Sequence, residues 1–492
     1  MNGTEEVKDV FYRQVSEMIE RMLVFVLIVV TGIYVTVALT FLTGLFRRQW
    51  RGTSGSGAGC PLGDATGRSV LRLGRVESHD YSTQMSESPT FKRGDSDQQP
   101  DVSVVLAARN EERCIADCLT DLTHQTYPPD RYEIIIVNDG SNDRTAEIVG
   151  ACAREHGNVR LLQAPDPVDR GLSPKKNALD TGIREARGEI ILTTDADCRI
   201  PPTWIDGIVR CFQPDVGVVI GFSQIGSPHE KSSLLERLQA LDFLALMSAA
   251  AGSANVGIPL AASGQNFAYR RRVFEEVGGF TRIGRRVSGD DVLFLQVVRR
   301  QTTWRVAFAG SKETFTTTTG QKTVRGFIEQ RKRWASNGIY QYQLNKPFFT
   351  YIVAVFVMNL LLLTVVPYTL IDWGLSTSHF PSSNFGFRIS DFGYSPPQSS
   401  ITIPQPIHFQ RSLLSSLFSI QRWVTPIWCL VLKIGVDLAV ILRGAILFER
   451  RDLLRVFPLW TILQIPYIVV VGITGTIGQF MWKGRRYDQS ER

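Results

Sequence analysis

The sequence predicts an α/β domain with a mostly parallel sheet, placed between apolar segments that could cross a membrane. From residue 101 onward, short β-branched runs alternate with helical patterns, as in sheets whose parallel strands are joined by crossover helices. Polar residues follow the ends of several of these runs, which is typical of the ligand-binding edge of such a sheet. Uncharged or nearly uncharged runs of about 20 residues or more stand near both ends of the chain.

Size and composition exclude several classes. A chain of 492 residues is too long for one ordinary domain, so two or three parts are expected. The net charge of +7 is modest, and no basic strand interleaved with aromatic residues is present, so a nucleic-acid partner is not expected. Seven cysteines without paired spacing disfavour a disulfide framework and a zinc site. The folded part is therefore expected in a reducing compartment.

The N-terminal part divides by composition. Residues 1–21 are polar and predict a short non-cytoplasmic terminus, and residues 22–46 form an uncharged run that predicts a membrane span. Acidic residues precede this span and arginines follow it, which places the downstream chain in the cytoplasm. Residues 47–100 are rich in Gly, Ser, Asp and Gln and predict a flexible linker. The folded domain is expected at residues 101–345.

The C-terminal part predicts about three more membrane segments. Residues 348–371 form a second apolar run, and residues 373–424 predict a loop on the far side of the membrane. Residues 426–447 form a third apolar segment, which three charged residues interrupt. Residues 457–482 form a fourth run that either crosses or re-enters the membrane. Basic residues follow this last run and would break the positive-inside trend if it crossed.

An acidic pair follows one of the predicted strands. The apolar run 190–194 stops at Asp195 and Asp197, two positions apart. Carboxylates at the C-terminal end of a strand suit Mg²⁺ or Mn²⁺ held against a substrate phosphate. An ordinary strand-to-turn junction is the alternative, because Asp is a common turn residue.

Two further segments have both ordinary and functional interpretations. Asp290 and Asp291 open a predicted helix, where capping alone would explain them. A basic helical segment at residues 323–342 could be only an interfacial anchor.

Neither Gly-x-Gly-x-x-Gly nor a P-loop pattern is present, which disfavours a dinucleotide-dependent dehydrogenase and an NTPase.

Five segments taken together resemble the membrane-bound family 2 inverting glycosyltransferases, the group that holds hyaluronan, chitin and cellulose synthases and ceramide glucosyltransferase. The segments are Ala108-Arg109-Asn110-Glu111-Glu112, Val137-Asn138-Asp139-Gly140-Ser141, Asp195-Ala196-Asp197, Gly289-Asp290-Asp291 and Gln330-Arg331-Lys332-Arg333-Trp334. The resemblance covers residues 101–345 and the pattern of one span before and several after. It implies a Rossmann-like domain of the GT-A fold in the cytosol, with one N-terminal and about three C-terminal transmembrane segments.

The resemblance implies a UDP-sugar donor and a bound Mg²⁺ or Mn²⁺. The residues that match the donor site are Ala108, Asn110, Glu112, Asp139, Lys176, Asp195 and Arg333, with Lys175 as an alternative to Lys176. Asp139 matches the acid that hydrogen-bonds uracil or ribose. Asp197, with Asp195, matches the metal-binding acids, and the metal would neutralise a diphosphate leaving group.

The resemblance also implies the acceptor side. Asp291 matches the general base that takes the proton of the acceptor hydroxyl, and Asp290 would raise the pKa of one of the pair. The residues that match the acceptor site are Gln265, Asp290, Gln330 and Trp334. Displacement with inversion would give a β-linked product from an α-linked donor. Gly278-Gly279-Phe280 matches a further acceptor-side segment, although a turn would explain it as well.

The expected enzyme is a hexosyltransferase in a multi-pass protein of the cell (inner) membrane, with its catalytic domain in the cytoplasm. The sequence slightly favours a growing polysaccharide as the acceptor, and a membrane lipid is the alternative. With about four spans, a polymer channel would require a homodimer or a partner export protein.

Lys433 and Asp437 lie four residues apart on one helical face. Three roles are open for them: they pair with each other, line a sugar path or lie near an interface. A non-catalytic scaffold and a nucleotidyltransferase are disfavoured, because Asp197, Asp291 and Arg333 are all present.

Overall fold

The computed structural model describes residues 3–47, 101–166, 171–228, 232–378, 407–482 and 485–487. The predicted linker at residues 47–100 therefore lies outside the described residues, except for Arg47. The N-terminal helix α1 runs from Gly3 to Phe46, so most of the predicted polar terminus continues into the same helix as the predicted span.

The domain is α/β with a mostly parallel sheet, which confirms the predicted fold class. The seven strands of the main sheet are β1 (Val102–Ala108), β2 (Tyr132–Asn138), β3 (Val159–Gln163), β4 (Ile190–Thr193), β5 (Val216–Gly221), β7 (Phe267–Arg270) and β8 (Arg305–Ala309). Their order is β3-β2-β1-β4-β7-β5-β8, and β7 alone of these seven runs antiparallel to its neighbours. A separate parallel pair joins β6 (Ser223–Ile225) to β9 (Thr316–Thr318).

Helices connect these strands. They are α2 (Ile115–Thr123), α3 (Thr145–Glu155), α4 (Pro174–Arg184), α5 (Trp204–Val209), α6 (Leu234–Asn255), α7 (Arg271–Glu276), α8 (Val292–Gln301), α9 (Val324–Ala335) and α10 (Gln341–Leu344). Side chains of the central strands point alternately to two apolar layers. In β1, Val105 belongs to one layer, whereas Val104 and Leu106 belong to the other. Because both faces are covered, the strands are continuous apolar runs.

The sheet directions bring the polar loops to one edge. β1, β2 and β4 are parallel, so the residues that follow them lie at the same edge. β7 is antiparallel to β4, with Thr193 opposite Phe267, so the residues that precede β7 lie at this edge too. Asp139, Asp195, Asp197 and Gln265 are therefore neighbours in space although they are distant in sequence.

Three described helices contain segments that are long and apolar enough to cross a membrane: Gln14–Phe46, Lys346–Ile371 and Arg451–Ile477. The first lies in α1 and the second in α11 (Lys346–Ser378). The third comprises a 3₁₀ turn, Arg451–Val456, and α13, Phe457–Ile477. The helical part of the predicted segment 457–482 thus ends at Ile477, and a hairpin of β10 (Phe480–Trp482) and β11 (Arg485–Tyr487) follows it.

The predicted segment 426–447 is the C-terminal part of a longer helix, α12 (Ile407–Leu447), which begins inside the predicted loop 373–424. Lys433 and Asp437 are buried in this helix and pair at 2.7 Å. Lys433 Nζ also donates to Gln464 Oε1 of α13 at 2.5 Å, and the Tyr34 hydroxyl of α1 donates to Asp437. Of the three alternatives for these two residues, the structure shows the pair, which joins α1, α12 and α13.

The end of α1 crosses the domain helix α6 at two glycines. A Cβ on Gly44 would lie 1.9 Å from the carbonyl oxygen of Gly252, and a Cβ on Gly252 would lie 2.3 Å from the carbonyl oxygen of Phe41. Asn255 Nδ2 of α6 donates to the carbonyl of Gly44 at 3.2 Å. The two backbones touch here because neither residue has a side chain.

We expect Gly44→Ala to destabilise the protein by ~1–3 kcal/mol, because the added methyl group has no space at this crossing. Gly32→Ala is the matched control, since Gly32 lies on the same helix with no atom within 4 Å of an added Cβ. Thermal unfolding in detergent measures the difference. Equal midpoints for the two variants would contradict the close crossing.

Candidate active site

A cavity of 790 Å³ opens at the edge of the sheet where the polar loops meet. It lies between the loops after β1, β2 and β4, the loop before α8, and one face of α9. The sequence-predicted residues that line it are Ala108, Asp139, Asp195, Asp197, Gln265, Asp290, Asp291, Gln330, Arg333 and Trp334. Ten positions spread over 227 residues of sequence thus share one cavity.

Two predicted donor-site residues, Asn110 and Glu112, stand outside the lining and hold its first wall together. Asn110 adopts a positive φ of 53°, and its side-chain oxygen accepts from the amide of Asn142 at 3.0 Å. Glu112 accepts from the amide of Arg144 at 3.1 Å. Both fasten the loop after β1 to the loop after β2, so they position the wall that Ala108 and Asp139 form.

The two consecutive lysines at the start of α4 have different surroundings. Lys175 lines the cavity, and its ammonium group contacts Asp195 at 2.9 Å and Asp290 at 3.0 Å. Lys176 is fully buried and donates to the backbone carbonyls of Arg286 and Ser288 at 2.5 and 2.9 Å. Burial lowers the pKa of Lys176 to about 7. The cavity position belongs to Lys175, the sequence alternative, and Lys176 supports the loop that carries the acids.

Lys175 and Asp290 keep each other charged. Burial opposes the charge of Lys175, but the carboxylates of Asp195 and Asp290 raise its pKa. Burial likewise opposes ionisation of Asp290, but the ammonium groups of Lys175 and Lys176 lower its pKa. A compact pair of opposite charges therefore forms one wall of the cavity.

Asp291 caps α8 and lines the cavity at the same time. It follows Gly289, whose φ of +90° strongly favours glycine over side-chain-bearing residues. One carboxylate oxygen accepts from the amide of Val292 at 2.5 Å, and the other accepts from the amide of Gly264 at 2.8 Å. Burial, and then the neighbouring charge of Asp290, raise the pKa of Asp291 to about 6. Asp291 therefore caps α8, as the capping interpretation predicted, and it also lines the cavity.

One face of α9 supplies the opposite wall. Gln330, Arg333 and Trp334 line the cavity at helical spacing. Burial lowers the pKa of the Arg333 guanidinium, while the charges of Asp290 and Asp195 oppose this effect. Arg331 points to the other side, where it pairs with Asp242 at 2.7 Å and stacks on the Trp334 ring at 4.0 Å. Arg331 thus holds the indole ring of Trp334 in place from the side away from the cavity.

Gln265 contributes a polar atom that has no partner in the described part of the chain. Its side-chain oxygen is buried without a hydrogen bond there, while its backbone carbonyl accepts from Thr194 at 3.0 Å. A buried amide oxygen of this kind is costly unless a ligand satisfies it.

Asp195 and Asp197 fit a hard divalent cation that takes its remaining ligands from a substrate. No group of three or more His, Cys, Asp or Glu side chains able to hold a metal occurs among the described residues. The thiols of Cys118 and Cys198 lie near the pair, and burial raises the pKa of both, so they stay protonated. The donors that remain are carboxylate oxygens, which Mg²⁺ and Mn²⁺ prefer.

Sequence comparison assigns the family. The family described as Glycosyl transferase family 21 matches residues 76–380. The chain belongs to this family. The match confirms the resemblance to membrane-bound glycosyltransferases.

Relatives of this family 21 protein are named for different products. It is 32% identical over 157 residues to a poly-beta-1,6-N-acetyl-D-glucosamine synthase of Staphylococcus epidermidis. The aligned region covers 32% of this chain and 35% of the relative. It is 34% identical over 121 residues to a beta-monoglucosyldiacylglycerol synthase of Trichormus variabilis. That alignment covers 24% of this chain and 25% of the relative. The chain spans between 25% and 59% of the length of such relatives.

One of the solved structures that the chain matches is a mannosyltransferase from Pyrobaculum calidifontis in complex with GDP-Man and Mn²⁺. It is 17% identical to this chain, with a TM-score of 0.45, and the match covers 87% of this chain and 99% of the other.

Several features of the cavity were not predicted from the sequence, and three of them concern Glu111, Arg331 and Met481. Glu111 lines the cavity where Glu112 was expected. Arg331 positions Trp334, and helical spacing could have shown this, because position 331 falls outside the face that carries 330, 333 and 334. Met481, from the C-terminal hairpin, also lines the cavity. No local pattern indicates that contact, because it depends on the path of α13.

We expect the rate of sugar transfer to fall about tenfold per pH unit below pH 6, if Asp291 accepts the acceptor proton. A general base works in its ionised form, and a raised pKa moves the loss of that form up from pH 4 to about pH 6. The kcat/KM profile measures this limb. Asp291→Asn should remove the limb and leave a rate about 10²–10⁴-fold lower; an unchanged profile in that variant would contradict the assignment.

Proposed function

We propose that this protein is an inverting hexosyltransferase that moves a sugar from a UDP-sugar to a membrane lipid at the cytoplasmic face of the cell (inner) membrane. One observation carries the choice of acceptor. Val292, Trp334 and Asn337 line both the charged cavity and a second, apolar groove of 630 Å³. A single acceptor could therefore place a hydroxyl in the cavity and an apolar chain in the groove.

The donor side is proposed from charge and position. Asp139, at the wall formed by the loops after β1 and β2, would hydrogen-bond the nucleoside. Arg333 would bind the diphosphate, because its planar fork suits phosphate oxygens. Asp195 and Asp197 would hold Mg²⁺ or Mn²⁺. The cation, when bound, supplies positive charge at the leaving diphosphate.

The acceptor side is proposed around Asp291. Lys175 keeps Asp290 ionised, so of the two acids Asp291 is the one that takes up a proton near pH 6. The unsatisfied oxygen of Gln265 would accept from an acceptor hydroxyl, and Trp334 offers a flat face for a sugar ring. Attack from the side opposite the diphosphate would give a β-linked product from an α-linked donor.

The groove has the chemistry of an acyl-chain site. Its walls are almost entirely apolar and come from the end of α9 and the chain that follows it, from α11 and from α13. The apolar residues include Ile339, Phe348, Phe349, Ile352, Val353, Phe356, Ile473 and Ile477. A sugar polymer presents hydroxyl groups that such walls cannot hydrogen-bond, whereas a lipid chain needs no hydrogen bond.

Polysaccharide synthesis, which the sequence slightly favoured, is the second candidate. Similarity to a poly-beta-1,6-N-acetyl-D-glucosamine synthase supports it, and similarity to a beta-monoglucosyldiacylglycerol synthase supports the lipid acceptor. Lys433 and Asp437 were the charged residues that could line a sugar path, and both are buried in their own pair. The polymer version would still require a homodimer or a partner export protein, whereas the lipid version does not.

The proposed location follows from charge and the apolar helices. Arginines follow the first candidate span, and acidic residues precede it. By the positive-inside rule the domain would face the cytoplasm of a multi-pass protein. The catalytic cavity would then have access to soluble UDP-sugars, and the groove beside α11 would have access to lipid.

We expect the purified protein to convert radiolabelled UDP-sugar into a lipid-extractable product that carries one sugar. Chromatography of the products from several UDP-sugars in native lipid measures this. A ladder of water-soluble sizes would contradict the lipid acceptor and support the polymer. The absence of any transferred sugar from all donors would contradict the proposed function.

The groove is tested in the same assay by Ile473→Trp, which fills it. We expect the KM for the lipid to rise at least about tenfold, while the KM for the donor stays unchanged, because the groove holds only the acceptor. Ile462→Trp is the matched control on the same helix, since Ile462 is exposed and lies outside the groove. Equal KM values for the lipid in both variants would contradict the groove assignment.

Replacement of Asp197 tests the proposed cation site. We expect Asp197→Asn to raise the Mn²⁺ concentration for half-maximal transfer by at least about tenfold, because one charged oxygen ligand is lost. Asp215→Asn is the control, an exposed carboxylate before β5 that pairs with Arg305 and does not line the cavity. Full transfer by the wild-type protein in excess chelator would contradict a metal requirement.

A further inference from the structure

Both ends of α13 rest on the catalytic domain. The residues before it are fixed to β6: the Arg450 guanidinium donates to the carbonyls of Ile225 and Gly226 at 3.0 and 3.1 Å. The ring of Phe448 stacks on Phe222 with centroids 3.8 Å apart. The chain therefore enters α13 from the surface of the domain.

The far end of α13 returns to the same domain. An added Cβ on Gly475 would lie 2.7 Å from the Cβ of Ala335, at the end of α9. Beyond the helix, the amide of Met481 donates to the carboxylate of Glu329 at 3.1 Å. Phe480 and Tyr487 of the hairpin form an apolar cluster with Val287. These contacts place the hairpin against α9 and the loop that precedes the acidic pair.

This path conflicts with a membrane crossing. A helix of 21 residues is about 31 Å long, which is close to the thickness of the hydrocarbon core. If α13 crossed, one of its ends would stand on the side opposite the domain. Instead both ends contact the domain, and midway along the helix the Tyr467 ring stacks on Phe327 of α9 at 5.4 Å.

One face of α13 carries a continuous apolar stripe. Its residues recur at helical spacing and are 38–68% exposed: Leu459, Ile462, Leu463, Val470, Ile473 and Ile477. The opposite face, with Trp460 and Val471, is buried. A Cβ on Gly472 would lie 2.6 Å from the ring of Phe356 in α11, a candidate span. The stripe therefore continues the surface of a helix that lipid would surround.

We propose that α13 lies in the membrane surface, with its stripe in the lipid leaflet next to the domain, and does not cross. The helix thereby returns the C-terminal hairpin to the catalytic side, where Met481 forms part of the active-site wall. The path of α13 is inferred from its contacts with the domain alone, whereas the role of Met481 rests on the proposed function. This arrangement also removes the conflict with the positive-inside rule, because the basic C-terminal residues stay on the side of the domain.

Sidedness of the C-terminus tests the path. An epitope tag inserted after Gly57 marks the side of the domain, and a second tag after Arg492 marks the C-terminus, each in the full chain in sealed vesicles. We expect both tags to show the same protease accessibility, and detergent to expose both. Opposite accessibility would overturn the proposal.

Depth in the bilayer tests it independently. A fluorophore is attached at Ile462→Cys or Ile477→Cys in a full chain that lacks its native cysteines, and lipids that carry quenchers at known depths are added. A crossing helix would separate the two sites by about 22 Å in depth. We expect equal depths, both shallow; a difference near that value would overturn the proposal.

The wall role is tested by Met481→Trp, with Met22→Trp as a matched control at a similarly exposed position on α1 (50% and 57% exposed). We expect Met481→Trp to raise the KM for donor or acceptor at least about fivefold, with an unchanged melting temperature, while Met22→Trp leaves both KM values unchanged. Equal KM values in the two variants would overturn the wall role. If the wild-type protein transfers no sugar, the proposed function fails, and the tag and depth experiments still decide the path.

Discussion

The ammonium group of Lys175 lies between two carboxylates from distant parts of the chain, Asp195 after β4 and Asp290 before α8. The rest of the site depends on this contact. It fixes the proposed metal-binding side of the cavity to the proposed acceptor side. It also keeps Asp290 ionised in a buried place, and that charge in turn helps to raise the pKa of Asp291. One partly buried ammonium group therefore gives two adjacent acids different pKa values.

The cavity is also tied to the apolar helices. α1 crosses α6 through the contact of Gly44 with Gly252, and the buried pair of Lys433 and Asp437 joins α1, α12 and α13. α13 packs against α9, and α9 supplies Arg333 and Trp334 to the cavity. Because α9 has polar contacts on one side and apolar helices on the other, the cavity and the apolar groove meet at Trp334. This juxtaposition is the physical basis for a proposed acceptor with a polar head and an apolar chain.

Several residues have structural and chemical tasks at once. Asp291 caps α8 and is the proposed base, and Arg331 pairs with Asp242 while it supports the indole of Trp334. Asn110 and Glu112 do not line the cavity, but they fasten its first wall. Ordinary structural explanations and functional ones are therefore not exclusive alternatives at this site.

The sequence by itself determined the alternating strands and helices, the apolar segments in α1, α11 and α13, and most of the residues that line the cavity. These features follow local patterns: β-branched runs, helical spacing, and acids placed directly after a strand. Tertiary structure decided which of the two lysines enters the cavity, because successive residues of α4 point in different directions and only packing selects one. It also decided the pairing of Lys433 with Asp437 and the return of Met481 to the cavity. Those contacts join residues that are distant in sequence, or depend on the path of a whole helix, and no local pattern encodes them.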